Sequence, residues 1–240
     1  MNTTNIHNLT SLWKTAALAS ETYHATPLFD YCYIEKSDWP NRLWFHQDLS
    51  SQSIQTAKAI LTQTPTPLVI PYFDIYKSRS FELLEAAGFE LMFEQIAMFL
   101  KPTTTFEEKA NFYLSPVQNE QQANLWAHLF KQAFGYTIGI SSILNNKQHF
   151  TYYIAYDNEQ AVGTGLTNVT HQTVGVHSIG VPPSMRRKGF AAAIMKNLIN
   201  RAIQNNRQSI TLQASNMGKG LYLKLGFQEQ FLIKNYRLKL

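Results

Sequence analysis

Apolar residues in the second half of the chain follow two different rhythms. Between residues 173 and 181, Val174, Val176, Ile179 and Val181 are separated only by small residues and His177, which predicts a strand covered on both faces. From Lys188 the spacing changes. Ile194, Met195, Leu198, Ile199, Ala202 and Ile203 recur every three or four positions and predict a helix that stops near Asn205-Asn206. Pro182 and Pro183 end the strand between the two. Upstream, residues 111–117 read as a strand, 120–134 as a helix turning Leu125, Leu129 and Phe130 inward, and 138–144 as a short second helix. Residues 151–156 and 161–168 read as hairpin strands around Asp157-Asn158-Glu159-Gln160, the second turning through Thr170-His171-Gln172 into the strand at 173. The expected order is strand, helix, helix, three antiparallel strands, helix, strand, helix, strand.

The first half carries a fainter version of the same end. Setting Gly88-Phe89 over Gly226-Phe227 also aligns Leu83 with Leu221, Phe93 with Phe231, Leu100 with Leu238 and Lys101 with Lys239, which hints at an internal repeat, chance agreement being the alternative. In both copies a short helix would end at a Gly suited to a left-handed cap, and a strand pair would follow. Residues 68–73 would take the place of residues 209–213. The polar, proline-containing run Lys101-Pro102-Thr103-Thr104-Thr105 marks the boundary, giving an amino-terminal αβ domain over 1–105 and a second domain over 106–240.

Chemistry concentrates between the strand and the helix of the second half. Gly189 and Ala191 carry little or no side chain, so the first-turn N–H groups, which have no partner inside a helix, stay open to a ligand. Such a helix start attracts anions, and Arg186, Arg187 and Lys188 add full charges that suit a pyrophosphate. His177, mid-strand, has an intrinsic pKa suited to a general base, although a lone strand histidine is more often packed. A phosphate-loop reading of Gly218-Lys219 fails, because Gln213 stands where a glycine belongs and Gly220 replaces the hydroxyl residue.

Arg186-x-x-Gly189-x-Ala191 after a strand resembles the cofactor signature of the GNAT superfamily of N-acetyltransferases. The run from Leu212 to Phe227, with Leu221-Tyr222 before Gly226-Phe227, is similar to that superfamily's next motif. The resemblance covers about residues 111–240. It implies an α/β, GNAT-like fold, a mixed and mostly antiparallel sheet flanked by helices, with the first half a degenerate second unit that lacks the cofactor loop. Leu84 stands there where the second half has Tyr222. It implies acetyl-CoA as co-substrate and direct acetyl transfer to a primary amine. Ile179, Gly180 and Val181 would then meet the pantetheine arm, and residues 186–191, including Phe190, the diphosphate. Ser215, where the family often has asparagine, Asn216 and Gly218 would contact the cofactor too. Tyr222 would protonate the departing thiolate. Phe134, Tyr136 and Tyr152 would line the acceptor pocket.

Composition bounds this reading. The 240 residues are 45% hydrophobic and 15% charged, as in a globular protein. Twenty-one basic against sixteen acidic residues give a net charge of +5 and a pI near 9.2, read as mild attraction for polyanionic CoA. Nucleic-acid binding is disfavoured, since no aromatic interleaving accompanies the basic residues. The single cysteine, Cys32, and scattered histidines point to a cytoplasmic protein without a metal. Neither an export signal nor a membrane span is evident. A monomer or homodimer acting on a small-molecule or peptide amine is expected, the alternative being a CoA-binding regulatory or scaffolding protein that has lost turnover.

Overall fold

The computed structural model describes residues 2–239. The first half runs α1 (Asn2–Leu18), β1 (Tyr23–Ala25), β2 (Phe29–Cys32), β3 (Arg42–Phe45), α2 (Ser51–Leu61), β4 (Val69–Phe73), α3 (Phe81–Ala86) and a long β5 (Phe89–Leu100). The second runs β6 (Phe112–Pro116), α4 (Glu120–Phe134), α5 (Ile140–Asn146), β7 (Phe150–Asp157), β8 (Gln160–Thr170) and β9 (Thr173–Gly180). It finishes with α6 (Phe190–Gln204), β10 (Ser209–Ala214), α7 (Lys219–Lys224) and β11 (Gln228–Leu238). This second-half order is the one the apolar spacing predicts. Asn119 caps α4 by accepting from the Gln122 N–H, and Gly135, at φ 81°, ends it.

The strands form one eleven-stranded sheet in the order β1-β2-β3-β4-β11-β5-β10-β9-β8-β7-β6. The final strand of each half lies beside the other half's strands. β5 pairs antiparallel with β10, and β11 pairs antiparallel with β4, so that β5 and β11 lie together at the centre. The coil at 101–111 therefore contains the expected boundary, but the sheet does not divide there. The strand pair expected after Gly88 and Gly226 is corrected as well. Each glycine, at φ 89° and 91°, leads into a single long strand, because the antiparallel partner comes from the opposite half.

Side-chain alternation sorts the core by face. On one face Leu12, Trp13, Phe73, Ala97, Trp126, Ile154 and Ile233 belong to one cluster that spans both halves. Their strand neighbours Tyr72, Met98 and Ala155 point the other way, into two separate clusters: one under α6, the other against α2 and α3. The sequence did not signal α1. Two buried asparagines, Asn5 and Asn8, occupy positions on its inward face where an amphipathic pattern would place apolar residues.

Candidate active site

Strand β9 is irregular where it matters. Its pairing with β8 skips between Thr164–Gly180 and Leu166–His177, so two residues of β9, Ser178 and Ile179, face one of β8, Gly165, and Ser178 takes φ 55°. The Thr164 hydroxyl donates to the Ser178 carbonyl at 2.9 Å, satisfying an acceptor that the bulge withdraws from the ladder. On its other side β9 pairs in parallel with β10 only through Thr173, Val174 and Gly175. Beyond that point β10 follows β5 and the two strands part, leaving that edge of β9 from Val176 to Gly180 without a partner strand among the described residues.

A short helical turn, Pro183–Met185, then leads to the start of α6. Arg187 and Gly189 both have positive φ, 63° and 81°, and reverse the chain twice before the helix begins. Among the described residues, none of the N–H groups of Arg187, Lys188, Gly189, Phe190, Ala191 and Ala192 donates to another protein group. A Cβ placed on Gly189 would meet nothing within 4 Å, so the space over these amides is open. That geometry fits a diphosphate, whose oxygens would collect the amides and the positive end of the helix.

The cations around the opening divide their work. The Arg186 guanidinium donates to the carbonyls of Val181 at 3.2 Å and Ala133 at 3.0 Å, clamping the loop to the end of α4. Arg187 and Lys188 are exposed, and neither makes an ion pair among the described residues. Phe190 is buried against Phe112, ring centroids 6.5 Å apart, so only its backbone is available to a ligand.

The parted strands open into a cavity of about 490 Å³. Ile179, His177, Ser215 and Tyr222 line it from the second half, with Phe134 and Tyr136 from the end of α4. The Tyr222 ring lies 5.9 Å from that of Phe227, and burial pushes its phenol up to about 12. Ser215 accepts the Gly218 N–H on its hydroxyl at 3.2 Å, and its carbonyl takes the N–H groups of Gly218 and Lys219, so this serine shapes the entry to α7. Asn216 is exposed and does not line the cavity. Tyr152 does not line it either. Its ring lies beneath α4, edge-on to Trp126 at 5.1 Å, fully buried in the core.

His177 is tied down. Asn8 donates through Nδ2 to the Asn168 carbonyl and Thr170 hydroxyl, which turns its Oδ1 toward His177 Nε2 at 3.2 Å and makes that nitrogen the donor. Burial holds the imidazole down at about 4, a hydrogen bond with Gln213 working weakly against it. At neutral pH the ring is uncharged and is a poor proton acceptor. Gln213 continues the network by donating to Asn5 Oδ1 at 2.8 Å. This is why α1 carries buried asparagines: they dock it across β8, β9 and β10.

The first half contributes more than the sequence suggests. Leu9, Leu12 and Trp13 of α1, Trp39, Arg42 of β3 and Glu94 of β5 all line the same cavity. No motif marks them. They reach the site through the strand exchange and through α1, pairings that join residues far apart in the chain.

Residues 116–233 match the family described as Acetyltransferase (GNAT) domain. A sequence search of curated proteins finds no match. Solved structures do match the fold. A GCN5-related N-acetyltransferase from Kribbella flavida superposes with a TM-score of 0.72 at 12% identity, covering 93% of each chain. One from Sphaerobacter thermophilus gives 0.63 at 14% identity over 88% of this chain and 76% of that one. A conserved protein of unknown function from Staphylococcus epidermidis gives 0.64 at 15%, covering 91% and 94%. At these identities the likeness establishes the fold, and it extends through both halves. Among the described residues no helix is long and apolar enough to cross a membrane, and no group of three or more His, Cys, Asp or Glu could hold a metal ion.

Proposed function

Because residues 116–233 match the GNAT acetyltransferase domain, we propose that the chain is an acetyl-CoA-dependent enzyme that transfers the acetyl group directly to a primary amine. The observation that carries this reading is the row of open amides from Arg187 to Ala192 beside the unpaired edge of β9. The amides hold the diphosphate, with Arg187 and Lys188 adding charge. The bare edge of β9 offers backbone groups to the pantetheine arm, and an N–H near Ile179–Val181 faces the carbonyl oxygen as it gains charge. In comparable acyl transfers such a donor is worth about 3–4 kcal/mol.

The bound thioester supplies the acetyl group, and the rest is positioning by this chain. Tyr222, protonated at neutral pH, donates a hydrogen bond to the leaving sulfur. With its phenol near 12 and a free thiol ordinarily near 8.5, complete proton transfer to the thiolate would cost about 5 kcal/mol. The phenol therefore stabilises the departing charge, and water completes the protonation. His177, held at about 4, serves as a neutral polar wall. The amine accordingly reacts as the free base, and kcat/KM rises with pH through the neutral range toward the pKa of the amine. Calorimetry with CoA and a thiol-release assay across amines test the reading. Tight CoA binding with amine-dependent release supports it, and the absence of heat with CoA overturns it.

A further inference from the structure

The cavity contains a cation with no counter-charge. Arg42 opens β3, where its backbone pairs with Cys32 on one side and Val69 on the other, so its side chain is held in a fixed direction from the sheet. Nη1 donates to the Asn41 carbonyl at 2.9 Å. Among the described residues, Nε is buried and has no partner, Nη2 makes no protein hydrogen bond, and no carboxylate forms an ion pair with the group. The guanidinium carbon lies 5.8 Å from the Trp13 ring. Its titratable neighbours are Cys32 and Tyr136, both kept neutral because burial raises them. Glu94, also on the cavity wall, is occupied by Lys234 at 3.4 Å, and His177 is uncharged.

A guanidinium cannot shed its proton under these conditions, and a buried charge without a partner is a standing cost to the fold. A ligand anion removes that cost. Arginine pairs best with a planar, two-oxygen group, and a single isolated cation matches a single negative charge. Tyr222 borders the same cavity, whose volume suits a small molecule. We infer that Arg42 binds the carboxylate of the acceptor, so the acceptor is a small amino-acid-like compound. Its amine lies toward Tyr222, its acid group lies at Arg42, and Trp13 and Trp39 wall the body between them. This rests on the transfer reading above and adds the acceptor class and the residue that selects it. The first half thus supplies the specificity of a reaction whose cofactor the second half holds.

The test uses the full chain saturated with CoA, following tryptophan fluorescence during titration with N-acetyl amino acids, each beside its neutral methyl amide. At least one acid is expected to bind 100-fold or more tighter than its amide. In R42Q that preference should collapse to within threefold, while R42K keeps part of it and both variants bind CoA as the parent does. Because R42Q gives up one hydrogen bond, to the Asn41 carbonyl, and removes a charge without a counter-ion, it should melt no lower than the parent, which a merely structural arginine would not allow. The inference is overturned if acids bind no tighter than amides, if R42Q weakens both alike, or if O-phosphoethanolamine proves the preferred acceptor. CoA heat measured on the same samples separates the two ideas: no heat sinks the transfer reading, whereas normal heat without acid preference sinks only this one.

Discussion

Helices α2 and α6 occupy matching places in the two halves, each between a pair of parallel strands, β3–β4 and β9–β10. They begin in opposite ways. In α2 the Ser50 hydroxyl accepts the Ser53 N–H at 3.1 Å and the Ser53 hydroxyl accepts the Ser50 N–H at 3.0 Å, a reciprocal cap that closes the helix end with the protein's own oxygens. In α6 a left-handed Gly189 precedes the helix and no side chain covers it. A capped start gains about 1 kcal/mol of stability, whereas an open one forgoes that gain and can bind an anion. The same architecture is thus closed by the protein's own oxygens in one half and left open in the other.

The contrast can be broken most severely by closing α6. Replacing Gly189 with Asp, a residue that tolerates positive φ, would set a carboxylate over the amides, and CoA affinity should fall about 1,000-fold, roughly 4 kcal/mol by calorimetry. If affinity survives, the open amides are not the diphosphate site. Y222F should leave CoA binding intact and lower kcat about 100-fold, near 2.7 kcal/mol; unchanged turnover would remove Tyr222 from the reaction.

A smaller effect follows from His177. Its neutral form is favoured in the folded protein, so its contribution to stability is complete above pH 6.5 and is lost as pH falls toward about 4. Urea midpoints at pH 7 and pH 4.5 should show the parent losing about 2–3 kcal/mol more than H177Q over that interval. Equal losses would place the imidazole in water. The smallest change is S50A, which opens the cap of α2. It should cost about 1 kcal/mol in thermal unfolding and leave CoA affinity and turnover untouched.

The second half was legible because its signals are local. α4 has the bounds that Leu125, Leu129 and Phe130 imply, and β9 and α6 start and stop within two residues of the expected positions. The open start of α6 could be read for the same reason, since glycine and small residues act on backbone a few residues away. The first half's part of the cavity wall could not. Arg42 sits in an ordinary strand, Arg-Leu-Trp-Phe, and its significance depends on forming no ion pair among the described residues, which only the tertiary arrangement establishes. α1 was hidden by Asn5 and Asn8, whose partners lie in β5, β8 and beyond. Tyr152 was placed at the pocket by analogy of position, but Trp126 lies over it. A lone strand histidine, His177, similarly met a docking helix that the sequence did not announce.

The crossing of β5 and β11 bears on how the chain is made. Neither β4 nor β5 can complete its hydrogen bonding when it leaves the ribosome, because β11, which flanks both, and β10, the other neighbour of β5, are synthesised more than a hundred residues later. Until then both present bare edges, the kind that pair with other nascent chains. Loss of β11 alone should therefore cripple the half encoded first as thoroughly as the half it belongs to. Chaperone capture of stalled translation products should persist until that strand has emerged.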